Sequence, residues 1–259
     1  MTSARTSDRD DEREVPPAVL CASCGRIDCG GCALSASEAR VEPILAWEGS
    51  GSVTQRLWLT AQRTSNEPRR TFGALPEGTL GSALRFALLA ETLASGSFAL
   101  VFVALALGVA PRLSWRVLSH PVGIAYVLSG IAAASSMMVV LHAIWGACLE
   151  LFAGATTGLK QSLRFGLYAC GWDLLTSPVG VIATLRSEGA HRTVTAVANA
   201  IRAPGPALRA YQEDLRRFGP NARRRALRLS MVVLGATLCV LLPLGGYVLF
   251  GFVEWVLAL

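Results

Sequence analysis

Four stretches of this chain, 83–109, 121–152, 165–185 and 229–259, are almost wholly apolar. Each holds the roughly 20 residues that a helix needs to cross a hydrocarbon core of about 30 Å. Backbone placed in lipid must satisfy its own N–H and C=O groups, so runs of this length predict an all-α fold, a polytopic helical membrane bundle. Composition agrees: 52% of the 259 residues are hydrophobic and only 16% charged, more apolar than an ordinary soluble enzyme.

The chain in front of the bundle is different. Residues 1–18 are Ser, Thr, Asp, Glu and Arg with Pro16 and Pro17 at the end, a composition expected to stay disordered. Residues 19–35 hold CASCGRIDCGGCA, in which Cys21, Cys24, Cys29 and Cys32 stand as C-x2-C-x4-C-x2-C. Four thiolates match a closed tetrahedral zinc site, and Gly25 suits the turn of a metal knuckle. So short a module has no apolar core, so the metal would supply most of its folding energy. A redox pair and an iron–sulfur cluster are the competing readings; no βαβ pattern surrounds the motif and ferredoxin spacings differ. Structural zinc is the expected cofactor, and four sulfurs leave no open position for catalysis. No apolar signal segment precedes the module, which is therefore expected on the reducing, cytosolic side.

A linker over 36–52 ends in Gly-Ser, and 53–82 reads as an amphipathic pre-membrane segment. Val53, Leu57, Trp58 and Ala61 share one helical face, which suits either a membrane surface or the protein's own core. Pro68 ends that helix.

Within the membrane domain, 83–259, the basic residues are uneven. Nine of 24 fall in 1–80 and ten in 186–228. Positive-inside logic puts both regions in the cytosol, yet three full crossings would leave the second outside. The expected resolution is a third segment that re-enters rather than crosses, broken by Gly171, Asp173, Pro178 and Gly180. The N-terminus is then cytosolic and the C-terminus external, with 186–228 a basic cytosolic loop. In it Arg216, Arg217, Arg223, Arg224 and Arg225 are candidates for contact with anionic lipid, against the plainer role of orienting the last helix.

Glu91 and Asp173 lie inside apolar blocks, where a charge is expensive and marks an ion path by default. The competing reading pairs them with Arg85 or Arg164. His142 and Glu150, eight apart, share a helical face, although a satisfied buried histidine is the commoner outcome. Cys148, Cys170 and Cys239 read as small packing residues. No Walker loop, dinucleotide fingerprint, nucleophile elbow or H-E-x-x-H is present, so no enzyme is expected. The arginines sit at membrane boundaries without interleaved aromatics, so no nucleic acid is expected either.

From Trp58 to about Gly180 the chain resembles the bacterial branch of the Yip family of small polytopic membrane proteins. Trp58, Thr60, Pro68 and Phe72 resemble its pre-membrane segment, and ALRFALL resembles the start of its first membrane helix. His142, Gly154, Leu163, Arg164, Tyr168, Pro178 and Gly180 resemble a later stretch. After Gly180 the family would supply another apolar helix, where this chain has its Arg-rich loop. The resemblance implies scaffolding or trafficking rather than catalysis. The leading expectation is thus a non-enzymatic scaffold in a bacterial inner membrane, in contact with lipids. Its zinc module would meet a protein partner and its bundle would self-associate. A small transporter or channel-like protein using Glu91 and Asp173 is the alternative.

Overall fold

The computed structural model describes residues 45–155 and 158–257; the tail, Cys21, Cys24, Cys29, Cys32 and the start of the linker lie outside the described residues. Caps and prolines set the helix starts. Ser52 accepts from the Gln55 N–H at the head of α1 (Val53–Asn66), Pro68 opens α2 (Pro68–Gly73), and Thr79 accepts from Ser82 N–H ahead of α3 (Leu80–Val109). Prolines also open α4 (Pro111–Ser119) and α5 (Pro121–Ala153), and Gly154 closes α5 at φ 83°. There follow α6 (Leu159–Thr176), α7 (Pro178–Glu188), α8 (Ala190–Arg202), α9 (Pro204–Arg209), a π-helical turn (Ala210–Leu215) and α10 (Pro220–Leu257). Among the described residues there is no strand.

Helices α3, α5 and α10, of 30, 33 and 38 residues, are long and apolar enough to cross a membrane. Three of the four expected blocks are therefore single helices, and α10 runs unbroken through Pro243. The third block is two helices. Ser177 leaves the helical conformation at ψ 159°, its N–H bonding back to the Asp173 carbonyl, and Pro178 starts α7 in a new direction.

Burial divides the long helices in two. On α3 the buried residues are Ala83, Phe86, Ala87, Ala90, Glu91 and Ala94, whereas Leu100, Phe102 and Val109, further on, are 71%, 68% and 86% exposed. On α5 the pattern mirrors this: apart from Gly123, burial runs from Ser135 to Glu150. Side chains on the rest of these helices, and on α10 beyond Ser230, turn mostly outward. Apolar surface on this scale asks for a covering that water does not provide.

The buried halves are packed by a cap of short helices centred on α6. Almost every residue of α6 from Arg164 to Leu175 is buried. Gly146 of α5 and Gly166 of α6 allow the two backbones to meet: a Cβ at Gly166 would strike the His142 carbonyl oxygen, and one at Gly146 that of Ser162. Phe165 stacks near Phe72, Trp145 and Tyr211 at centroid distances of 4.8, 5.3 and 4.6 Å. On its other side α6 meets α1, where Trp172 Nε1 donates to the Thr64 carbonyl at 3.0 Å. Helix α1 buries Leu57 and Ala61 of the expected face together with Thr60, Thr64 and Ser65, with Trp58 partly buried against the core and Val53 left half exposed at its start. The chain is already in that core at Leu45 and Trp47. The Trp47 backbone N–H donates to Thr60 Oγ1 at 2.7 Å, and its Nε1 donates to the Ser82 carbonyl at 2.8 Å.

Two buried arginine clusters fix α6 and its return. Arg164, 1% exposed, pairs with Glu48 and donates to the Pro76 carbonyl, while Tyr168 OH donates to the same Glu48 carboxylate at 2.8 Å. Glu150, fully buried, pairs with Arg216 and accepts from Tyr211 OH at 3.1 Å. Burial first, and Glu150 second, push the Tyr211 phenol far above its ordinary range, so it remains a donor at any working pH. Gly158, just before α6, abuts Arg216 and Glu150. The chain thus leaves Glu150 into α6, turns at Ser177, descends through α7, α8 and α9, and by Tyr211 is back at Glu150.

Candidate functional site

The two acids singled out in the sequence converge. Glu91 comes from the middle of α3, where its fully packed neighbours Ala87, Ala90 and Ala94 are small enough to let α6 lie close. Asp173 stands in the last turn of α6, and His142 in the second half of α5. His142 Nε2 and Asp173 Oδ2 are 2.7 Å apart. The Cys170 Sγ lies within 4.8 Å of a Glu91 carboxylate oxygen, and both lie as close to a ring nitrogen of His142. Cys170 lies one helical turn before Asp173 and so on the same face of α6.

Access is graded. The Asp173 side chain is 34% exposed and that of His142 14%, whereas Glu91 is 1% exposed. Within this recess the Glu91 Oε1 has no hydrogen-bond partner, a costly condition for a carboxyl oxygen away from water. Trp145 and Trp172 wall the histidine, with ring centroids 6.4 and 6.5 Å from its own. Ligand atoms of Glu91, His142 and Cys170 lie within 4.8 Å of one another, and among the described residues they form a group able to hold a metal ion.

Neither acid is neutralised by Arg164, which is committed to Glu48. His142 and Glu150 belong to separate clusters, Glu150 being held by Arg216. Among the five arginines of the basic stretch, Arg216 also lies over Phe218, Arg223 pairs with Glu213, and Arg225 Nε donates to the Phe152 carbonyl at 2.7 Å. Arg217 and Arg224 are exposed. Two members of the cluster are not evident as a pair in the sequence, where spacing sets His142 with Glu150 and Cys170 reads as a packing residue. The i, i+3 spacing of Cys170 and Asp173 was the available signal.

No family model, curated protein or solved structure matches this chain, so the resemblance to the Yip family rests on the residues that carry it, and what stands is a helical protein with three helices of membrane length.

Proposed function

We propose that this protein is a small transporter or channel-like protein of the bacterial cytoplasmic membrane that handles a cation at Glu91 and Asp173. The observation that carries it is the meeting of both acids at His142, Asp173 bonded to its Nε2 at 2.7 Å and a Glu91 oxygen within 4.8 Å of a ring nitrogen, the three contributed by α3, α5 and α6. Acids are retained inside apolar bundles where they meet a solute. Asp173 is the mouth of the recess and Glu91 its closed end. The cluster lies beside the end of α6, whose last carbonyls carry partial negative charge, so the local field favours a cation.

In this reading α3, α5 and α10 cross the bilayer, and the helical excursion from Leu159 to Tyr211 enters and returns on the cytosolic side. Such an excursion puts the ten basic residues of 186–228 and the N-terminal region together in the cytosol. The experiment is cation uptake into proteoliposomes, with sodium, potassium, magnesium, manganese and zinc tested in turn. Glu91→Gln and Asp173→Asn are expected to keep the helical content and elution profile of the parent and to lose the flux. A parent that moves none of these ions, or variants that move them as well as the parent, overturn the reading.

A second reading, the membrane adaptor, is favoured by the anchoring of Leu45 and Trp47 in the core, which ties the chain following the cysteines to the cap. There the four cysteines hold zinc and meet a partner, and a Yip-like bundle anchors them.

A further inference from the structure

We propose that Glu91, His142 and Cys170 form a binding site for a divalent transition-metal ion of the zinc class, with Asp173 holding the imidazole in place; this rests on the reading of the cluster as the functional site. Three observations carry it. The ligand atoms of the three residues lie within 4.8 Å of one another, a separation that a small movement closes onto one ion with ligand distances of about 2.0–2.3 Å. Glu91 is 1% exposed with Oε1 unpartnered, so the recess contains a buried acceptor that the protein leaves unsatisfied. His142 Nε2 is bonded to Asp173 at 2.7 Å, which leaves Nδ1 as the nitrogen for the ion, and a carboxylate on the other nitrogen of an imidazole is the usual companion of a metal-binding histidine.

The donor set chooses the ion. Calcium and magnesium ask for six or more oxygens, which the two carboxylates of Glu91 and Asp173 in a walled recess do not supply. A thiol, an imidazole and a carboxylate are borderline donors that suit zinc, cobalt(II) or nickel(II). Three protein ligands leave a position open, as a site that loads and releases its ion requires. None of its ligands belongs to the cysteine module, Cys170 being a residue of α6.

The test uses the full chain with Cys21, Cys24, Cys29 and Cys32 changed to Ser, so that Cys148, Cys170 and Cys239 are the remaining thiols. Cobalt(II) titration is expected to bind one ion per chain with a thiolate charge-transfer band in the near ultraviolet, displaced by zinc. The band is lost in Cys170→Ser and kept in Cys148→Ser, a buried cysteine outside the cluster. Affinity falls about 10–100-fold in Asp173→Asn, the size of effect expected for an orienting partner. Absence of a thiolate band, or one that survives Cys170→Ser, overturns the site. If the four-serine chain does not fold, zinc content decides on the otherwise unchanged chain: Cys170→Ser must hold one ion fewer than the parent, and an equal content overturns the site. Cobalt bound at Cys170 with no flux of any cation would keep this site and remove the transport reading. Sodium or potassium flux without cobalt binding would do the reverse.

Discussion

Arg216 reaches back across the cap to place its guanidinium on both carboxylate oxygens of the fully buried Glu150, Nε donating to Oε2 at 3.1 Å. The pair closes the excursion that begins at α6. Arg216→Met strands a carboxylate with only Tyr211 beside it, and a buried pair broken from one side costs about 3–5 kcal/mol. Thermal unfolding in detergent should show that loss, with part of it recovered in Arg216→Met/Glu150→Gln. A double variant no more stable than Arg216→Met would mean that the stranded charge is not the cause.

The meeting of α5 and α6 at Gly146 and Gly166 leaves no room for a side chain. Gly166→Leu is expected to push α6 from α5, separate His142 from Asp173, and unfold or loosen the cap. Gly96, with nothing within 4 Å of an added Cβ, is the control. Gly96→Ala should be neutral or gain up to about 1 kcal/mol of helix propensity. Equal melting of Gly166→Leu and the parent would show that the crossing tolerates widening.

Sidedness is open to direct labelling. In a chain whose native cysteines are replaced by Ser, Gly205→Cys, at an exposed position of α9, should react with an impermeant maleimide from the same side as Thr54→Cys in α1. Arg112→Cys, in α4 between two membrane-length helices, should react from the other. Gly205 labelling together with Arg112 would make α6 and α7 a crossing and remove the re-entrant topology.

Removal of the cysteine module's metal has its own readout. Elemental analysis of the purified parent and of Cys21→Ser/Cys24→Ser should differ by one zinc per chain. An unchanged zinc content, or iron in its place, would end the zinc-knuckle reading.

The long helices were legible because a hydropathic run of this length is a property of the sequence alone, and so was the break at Pro178, which withdraws an N–H and bars the preceding residue from helical geometry. The centre of the cap was harder to read. Helix α6 carries Lys160, Arg164 and Asp173 on 18 residues, so the apolar stretch that begins at Phe165 looks more like a broken membrane segment than like a core. It is a core because Glu48, 116 residues away in sequence, takes up the arginine. The same distance hid the site. Glu91 and Asp173 were identifiable one at a time from the cost of a charge in an apolar run, but no spacing rule joins α3 to α6. The pairing drawn from spacing, His142 with Glu150, gave way because each residue finds a better partner on another element.

The wrapping of α6 bears on how the chain is made. A segment with a buried arginine and an aspartate is a poor passenger for lateral release into lipid by the insertion machinery. Its companions span the sequence: Glu48 ahead of the first long helix, His142 on the second, and Tyr211 just ahead of the last. Helices α3 and α5 can enter the bilayer as they emerge from the ribosome, but α6 has to wait beside them until the chain through Tyr211 has been translated. Assembly of the cap is therefore a late step, and a chain truncated before Tyr211 should be inserted in the membrane yet remain a substrate for its quality-control proteases.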